Sequence, residues 1–315
     1  MNLSFIFPGQ GSQKIGMGKE LFSSFGVAKE VFQEVDDSLN ENLSRLIFDG
    51  PLEDLTLTFN AQPAIMTVSI AALKVLESFI DKNIDQVGKF VAGHSLGEYS
   101  ALVASRSLNL SDAARLLRLR GNAMQNAVAV NEGGMAAVIG SDMDTVKKLI
   151  DASVIKDEVL EIANDNAPGQ IVISGHMSAI EKSVGNSKDM GIKRVLKLPV
   201  SAPFHCSLMN SALEEMTSTI ATININSPRI LLCNNVDAKF LSDVKTIKDS
   251  LLKQIIGRVR WRESVENMRD LGKVSKFVEL GAGNVLSGLI KRIDSNLDSV
   301  SLESITDIEN FSKLV

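Results

Sequence analysis

Val91-Ala92-Gly93-His94-Ser95-Leu96-Gly97-Glu98 is the stretch around which the rest of the chain is organised. The apolar residues up to Ala92 are typical of a strand, residues 93–97 fit the pattern G-x-S-x-G, and the small and apolar residues that follow predict a buried helix. Strand, tight turn and helix together form a nucleophile elbow, which exposes a serine hydroxyl beside a helix N-terminus. Ser95 is therefore a candidate nucleophile. The alternative is a glycine-rich turn that only joins a strand to a helix.

A second loop is predicted to lie near this turn. Leu3–Phe7 is a short apolar run typical of a strand, and the loop 8–13 follows it. Hydrolase-type sites take one oxyanion-binding N–H group from a loop after an early strand and another from the residue after the nucleophile. Those groups would be the N–H groups of Gln10 and Leu96. The alternative is a plain connection between a strand and a helix.

Composition narrows the class of protein. The chain has 315 residues, of which 44% are hydrophobic and 23% charged, as expected for a globular enzyme with one large domain or a large and a small one. Its net charge of -5 argues against general nucleic-acid binding. Cys206 and Cys233 predict neither a disulfide framework nor a zinc site. The two cysteines fit a reducing cytoplasm, and no metal is expected. The N-terminus is not predicted to be a signal peptide, and we expect no segment able to span a bilayer.

The helix predicted from Ser111 to about Ala127 carries a cation on its apolar face. At a period of 3.6 residues, Arg120 lies in the middle of a stripe formed by Ala113, Leu116, Leu117, Met124 and Ala127. A buried guanidinium must meet an anion, and its planar fork suits a carboxylate. That anion could belong to the substrate. The alternatives are a structural Asp or Glu, or a side chain that extends to the surface.

Another long buried helix is predicted from Asn60-Ala61-Gln62-Pro63 to about Phe79. Pro63 suits the first turn of a helix. Gln62 would either face the site or cap this helix, and its place before the proline favours the cap.

The pattern changes after residue 128 and predicts a second, smaller domain. Strands and helices then follow the order β-α-β-β-α-β, which is typical of a ferredoxin-like unit. Within it, Asn164–Gly169 is interpreted as a turn cluster. We expect this unit at residues 129–199, inserted into a larger domain formed by residues 1–128 and 200–315.

Three histidines could serve as the base for Ser95. His94 adjoins the serine, but neighbouring side chains at an elbow point apart. His176 is predicted to be a solvated residue at a helix start. His205 follows Pro203-Phe204 on a loop at the domain junction, where clefts form, and comes after the serine in sequence. His205 is therefore the favoured base. No acidic third member stands out, and a backbone carbonyl can hold the imidazole tautomer, so a Ser-His dyad is expected.

These residues resemble the malonyl-CoA:acyl-carrier-protein transacylases of bacterial fatty-acid synthesis and the related acyltransferase domains of polyketide synthases. The resemblance covers nearly the whole chain. It rests on residues 7–13, 93–101, 164–170, 203–205, 259–261 and 279–281, with Arg120, Met124 and Gln254.

The resemblance implies an α/β-hydrolase-like catalytic domain with a parallel sheet and an inserted ferredoxin-like domain. It implies that Ser95 is the nucleophile, His205 the base, and the Gln10 and Leu96 N–H groups the oxyanion hole. Arg120 would bind the malonyl carboxylate, and the main-chain carbonyl of Gln254 would orient His205. Phe204 and Met124 would line the acyl site, with Phe204 similar to malonyl-selective relatives.

The leading functional hypothesis is a two-step malonyl transfer from malonyl-CoA to acyl carrier protein through a malonyl-Ser95 ester. The main alternative is a serine esterase or thioesterase, which has the same elbow but no use for a buried cation at Arg120. A third class is a non-catalytic carrier-binding module, against which a competent Ser–His pair argues. We expect a monomer with no bound cofactor, since coenzyme A and phosphopantetheine are carried by the substrates, and no nucleic-acid or membrane partner.

Because the carrier protein is expected to be acidic, we also predict a local basic patch on the surface of this chain. The candidates are Lys188, Lys193, Arg194 and Lys197 of the small domain, with Arg258, Arg260 and Arg262 across the cleft. The alternative for each of them is ordinary solvated charge.

Overall fold

Two β-sheets organise the computed structural model, which describes residues 2–200 and 202–315. The strands are β1 Leu3–Phe7, β2 Gly88–Gly93, β3 Gly133–Ile139, β4 Leu160–Ala167, β5 Gln170–His176, β6 Arg194–Lys197, β7 Leu231–Cys233, β8 Phe240–Leu241, β9 Lys276–Leu280 and β10 Asp298–Leu302. The helices are α1 Lys19–Ser24, α2 Gly26–Leu39, α3 Leu43–Asp49, α4 Leu52–Thr56, α5 Thr58–Ile80, α6 Gly97–Ala104, α7 Leu110–Asn126, α8 Met143–Ser153, α9 Met177–Asn186, α10 Asn210–Thr222, α11 Val244–Ile256, α12 Trp261–Asp270, α13 Val285–Ile293 and α14 Ile305–Ser312.

The larger sheet has the strand order β10-β9-β1-β2-β7-β8, and its pairings are parallel except for β7 with β8. All five residues of β1 are buried, as expected for a parallel strand with helices on both faces. Phe7 pairs with Gly93, so the loops that follow β1 and β2 leave the sheet at the same edge. The predicted α/β class is confirmed, and the two loops singled out in the sequence lie side by side.

The smaller sheet has the order β4-β5-β3-β6 and is antiparallel throughout. Helices α8 and α9 pack against it through an apolar cluster that includes Val146, Leu149, Ile173 and Ile180. The chain order β-α-β-β-α-β from Gly133 to Lys197 is the one predicted for a ferredoxin-like unit. The exact domain limits at residues 129 and 199 stay a prediction.

The interpretation of Asn164–Gly169 as a turn cluster is wrong for most of its length. Strand β4 continues through Ala167, and only Pro168 and Gly169 form the turn. The Asp165 N–H donates to the Val259 carbonyl at 2.9 Å, and the Val259 N–H donates to the Ala163 carbonyl at 2.8 Å. These long-range bonds hold the segment extended, although its asparagines favour turns.

Helix α5 is the central core helix of the larger unit. Its length and mean hydropathy of 1.6 would allow it to cross a membrane, contrary to the expectation from the sequence, but 72% of its apolar window is buried inside the fold. The helix begins at Thr58, earlier than predicted, so Gln62 and Pro63 lie inside it. The predicted cap role of Gln62 is therefore wrong.

Candidate active site

The elbow after β2 brings Ser95 to the edge of the larger sheet. Ser95 has φ 52°, a left-handed conformation that a non-glycine residue seldom adopts. A Cβ atom on Gly93 would lie 1.9 Å from the Gly97 backbone, and one on Gly97 would lie 2.2 Å from the Phe7 carbonyl oxygen. Only glycine fits at both positions, because the strand and the helix approach each other so closely. The turn therefore fixes the Ser95 hydroxyl at the amino end of α6.

His205 contacts the serine hydroxyl. The distance between His205 Nε2 and Ser95 Oγ is 2.7 Å, and the distance between His205 Nδ1 and the main-chain oxygen of Gln254 is 2.8 Å. Because a carbonyl can only accept, Nδ1 donates to Gln254 and Nε2 is left to accept the Ser95 proton. Burial, with the nearby charge of Arg120 as a second cause, lowers the pKa of His205 to about 3. The imidazole is therefore neutral near pH 7, as a general base must be.

Arg120 of α7 is buried, with 1% of its surface exposed. Its Nη1 donates to Gln62 Oε1 at 2.7 Å, and its Nη2 donates to Gln254 Oε1 at 2.9 Å and to Ser95 Oγ at 3.1 Å. Among the residues that the structure describes, no carboxylate forms a salt bridge with it. Burial lowers the pKa of Arg120, but a guanidinium is not deprotonated in proteins, so it stays charged. The structure thus holds a cation beside the nucleophile with only neutral oxygens as hydrogen-bond partners.

The N–H groups of Gln10 and Leu96 lie on the two neighbouring loops. Both residues line the same cavity as Ser95. Within residues 2–200 and 202–315, neither N–H donates a hydrogen bond to the rest of the chain. Both are therefore available to an oxyanion on an acyl group attached to Ser95.

The cavity above Ser95 has a volume of about 440 Å³ and lies between the two sheets. Met124 and Phe204 line it from the larger unit, and Met135, Asn164 and Leu198 line it from the smaller one. A pocket of this kind suits a small acyl group that enters through a cleft between two units.

The other two histidines do not reach the serine hydroxyl. His94 Nε2 lies 2.8 Å from Asn166 Oδ1, and the ring packs against Trp261 with a distance of 5.7 Å between the ring centroids. His176 precedes α9 as predicted, but it is only half-exposed because its Nδ1 accepts from the Val159 N–H at 2.8 Å. Both therefore have structural contacts that differ from those of His205.

Sequence reasoning missed the roles of Asn235 and Glu98 in holding the site together, and it favoured a cap over a site-facing position for Gln62. Gln62 accepts from Arg120, and Asn235 Oδ1 accepts from the Ser95 N–H at 2.8 Å. Glu98 Oε2 accepts from the Asn235 N–H at 3.0 Å and from Gln254 Nε2 at 2.8 Å. The available signal was a polar side chain inside an apolar buried helix, namely Gln62 in α5 and Glu98 in α6.

The predicted basic patch is weaker than its residue count indicates. Arg258 and Arg260 both pair with Glu263, and Lys197 pairs with Glu181. Arg262 pairs with Asp165 and Glu266. The remaining candidates, Lys188, Lys193 and Arg194, are exposed and have no salt bridge within the described part of the chain.

The described residues include no group of three or more His, Cys, Asp or Glu side chains arranged to hold a metal ion. The buried thiols of Cys206 and Cys233 are not paired, and burial raises their pKa values to about 11 and about 12. Both thiols are therefore protonated and unreactive near neutral pH.

Known proteins match the chain along nearly its whole length. The acyl transferase domain family matches residues 4–280. The malonyl CoA-acyl carrier protein transacylase of Bacillus subtilis is 43% identical over 307 residues, which are 98% of this chain and 95% of that protein. The protein of the same name from Escherichia coli K12 is 40% identical over 302 residues, 95% of each chain.

Solved structures give the same result. An acyl-carrier-protein S-malonyltransferase from Bartonella henselae superposes with a TM-score of 0.96 at 47% identity, covering 100% of this chain and 99% of that one. A malonyl-transacylase in complex with its type II polyketide-synthase acyl-carrier protein has a TM-score of 0.95 at 35% identity, covering 100% of both chains. The similarity therefore includes both sheets and the cleft between them.

Proposed function

The chain belongs to the acyl transferase domain family, as a malonyl-CoA:acyl-carrier-protein transacylase, and from this premise we propose how its residues perform malonyl transfer. The enzyme transfers the malonyl group from malonyl-CoA to the phosphopantetheine thiol of acyl carrier protein and so supplies fatty-acid synthesis. One observation supports the residue assignment above all. A buried guanidinium, that of Arg120, donates to the hydroxyl of a serine that is also hydrogen-bonded to a neutral histidine.

In the first half-reaction Ser95 Oγ attacks the thioester carbonyl of malonyl-CoA while its proton passes to His205 Nε2. The N–H groups of Gln10 and Leu96 stabilise the oxyanion of the tetrahedral intermediate. When the carbon–sulfur bond breaks, His205 returns the proton to the coenzyme A thiolate. The product is a malonyl ester on Ser95.

In the second half-reaction the carrier-protein thiol gives its proton to His205 and attacks the malonyl ester. The same oxyanion hole is used, the ester bond breaks, and the proton passes from His205 to Ser95 Oγ. The Gln254 carbonyl keeps the imidazole in one tautomer through both half-reactions.

Arg120 selects the acyl group by binding the malonyl carboxylate through its fork. The carboxylate also offsets the charge that helps to depress the pKa of His205, so malonyl binding makes His205 a stronger base. An esterase or thioesterase acting on neutral acyl groups would gain nothing from this cation. Phe204 and Met124 limit the size of the acyl group from the wall of the cavity.

The enzyme acts without a bound cofactor or metal, because coenzyme A and phosphopantetheine arrive with the substrates. It works in the cytoplasm as a monomer, with neither nucleic acid nor membrane as a partner.

The test is the intact mass of the protein after brief incubation with malonyl-CoA. The wild type should gain one malonyl group, and Ser95→Ala should gain none. His205→Ala should acylate about 10²–10⁴-fold more slowly, and His94→Ala, the control, should stay close to the wild type. A mass shift that survives Ser95→Ala would overturn the assignment. Release of coenzyme A that continues without carrier protein would indicate a thioesterase.

A further inference from the structure

Glu98 is a buried carboxylate that the proposed reaction does not use. It lies in the first turn of α6 and has no exposed surface. Its Oε2 accepts the hydrogen bonds from Asn235 and Gln254, while its Oε1 has no hydrogen-bond partner in the described part of the chain. Burying a carboxylate with one unpartnered oxygen lowers the stability of the fold, so the presence of Glu98 here indicates a function.

Gln254 connects this carboxylate to Arg120. The Gln254 side chain donates through Nε2 to Glu98 and accepts through Oε1 from Arg120 Nη2. The opposite orientation of the amide would face its oxygen to the carboxylate and its NH₂ group to the guanidinium. The ionised form of Glu98 therefore favours the orientation in which Gln254 holds Arg120.

The same carboxylate also supports the nucleophile loop. Gln254 Nε2 donates to the Ser95 carbonyl at 3.1 Å. Asn235, whose N–H is bound by Glu98, accepts from the Ser95 N–H and donates through Nδ2 to the Gly93 carbonyl at 2.7 Å. Glu98 is thus linked to Ser95 and to Arg120 through one intervening side chain in each case. The Gln254 main chain extends the hydrogen-bond network to His205.

We propose that Glu98 is a positioning residue whose carboxylate is the counter-charge of Arg120, acting through the Gln254 amide, and that it takes up a proton when a malonyl carboxylate binds Arg120. The free site holds one buried cation and one buried carboxylate. Malonylation of Ser95 adds a second carboxylate, as the proposed function requires. Two carboxylates that share one buried cation repel each other, and protonation of one relieves that repulsion.

Near neutral pH the proton can be taken up at little cost. The pKa of Glu98 is raised to about 7, mainly by burial; the hydrogen bonds from Gln254 and Asn235 and the charge of Arg120 oppose the rise, and the charge of Asp237 adds to it. The neighbouring groups do not titrate in this range, since burial raises the pKa values of Tyr99 and Cys233 to about 12 and lowers that of His205 to about 3. Burial also lowers the pKa of His94.

The proton balance of the first half-reaction is simple. Ser95 loses its proton to His205, and His205 returns it to the coenzyme A thiolate, so ester formation itself is neutral in protons. The proton on Glu98 comes from solvent. Malonylation should therefore take up as much as one proton per Ser95, whereas acetylation, which adds no carboxylate, should take up none.

The equilibrium constant for malonyl-enzyme formation from malonyl-CoA tests this linkage. This constant is measured by intact mass as a function of pH in the wild type and in Glu98→Gln. Dividing the wild-type constant by the variant's constant removes the contribution from ionisation of the coenzyme A thiol, which is the same for both. Above the pKa of Glu98 in the free enzyme, the ratio of the wild-type constant to the Glu98→Gln constant should fall by up to tenfold per pH unit. The reason is that the malonylated wild type holds one more proton, on Glu98, than the free wild type does. Glu279→Gln is the matched control, since Glu279 is also buried and accepts from two main-chain N–H groups, those of Leu286 and Ser287. It should follow the wild type.

A ratio that does not change with pH would overturn the proposal. If no malonyl ester forms in the wild type at any pH, the proposed function fails instead, and the two failures are thus distinct. Should Glu98→Gln not fold, proton uptake by the wild type in weakly buffered solution with an indicator dye decides the question. Uptake with malonyl-CoA that exceeds uptake with acetyl-CoA supports the proposal, and equal uptake overturns it.

Discussion

Arg120 and Arg262 are two arginines of the same fold in opposite electrostatic settings. Arg262 of α12 donates through Nη2 to Asp165 at 2.8 Å and through Nη1 to Glu266 at 3.0 Å. Arg120 of α7 is buried, and its hydrogen-bond partners within the described part of the chain are the neutral oxygens of Gln62, Gln254 and Ser95. Their pKa values shift in opposite directions, since the hydrogen bond to Asp165 raises that of Arg262 and burial lowers that of Arg120.

This difference indicates a structural role for Arg262 and a substrate-binding role for Arg120. The fork of Arg262 is already matched by two carboxylates, that of Asp165, which joins α12 to β4 of the smaller sheet, and that of Glu266 one turn along the same helix. The carboxylate of Glu98 acts on the charge of Arg120 only from a distance, and the Arg120 Nη2 group points at the nucleophile. A substrate carboxylate therefore has something to gain from Arg120 and nothing to gain from Arg262.

Arg120→Ala should have the largest effect, a loss of malonyl transfer. The substitution removes a charge-assisted contact and leaves the malonyl carboxylate buried without a partner, a loss of about 2–5 kcal/mol or about 30-fold to several-thousand-fold in malonyl transfer. Acetyl transfer should change little. Arg120→Lys should recover part of the loss, because lysine keeps the charge but not the fork. Both transfers are measured on protein whose fold is checked by circular dichroism, and an equal fall in both would make Arg120 structural.

Arg262→Ala should have the opposite profile, with an intermediate effect on stability. It leaves the carboxylate of Asp165, which is 2% exposed, without its fork, at a cost of about 1–3 kcal/mol in the free energy of unfolding. The ratio of malonyl to acetyl transfer should stay that of the wild type. Chemical denaturation and the two transfer assays check this. A change in acyl preference without a loss of stability would contradict the distinction between the two arginines.

The smallest expected effects concern the exposed cations that are candidates for carrier-protein docking. Lys193→Ala and Arg194→Ala should slow transfer to an acidic carrier protein by about 1.5- to 5-fold each, the range of an exposed ion pair. Arg260→Ala should slow it less, because Glu263 already neutralises Arg260. Transfer rates at low and high salt, with free pantetheine as the control acceptor, measure the difference. Equal salt dependence for both acceptors would remove the patch from the docking surface.

Local patterns in the sequence were enough to predict the scaffold of the site. The glycines at 93 and 97 predicted the elbow, and the structure shows that neither position has room for a Cβ atom. The 3.6-residue stripe predicted that Arg120 faces the core, and it is buried. The order of strands and helices from Gly133 to Lys197 also matched its prediction. Each of these features depends on residues close together in the chain, where spacing and backbone preference carry the information.

The tertiary structure alone decided the partners of the buried polar groups. Gln62 is 58 residues from Arg120, and Gln254 is 134 residues from it. No local pattern distinguishes a helix-capping glutamine from one that holds a guanidinium. Asn164–Ala167 is a strand because it pairs with β5 on one side and contacts Val259 on the other. Buried polar atoms take whichever partners the packing brings near, since an unmade bond is costly in the interior. The sequence therefore determined which groups are buried at the site, and the assembled fold determined which charges meet there.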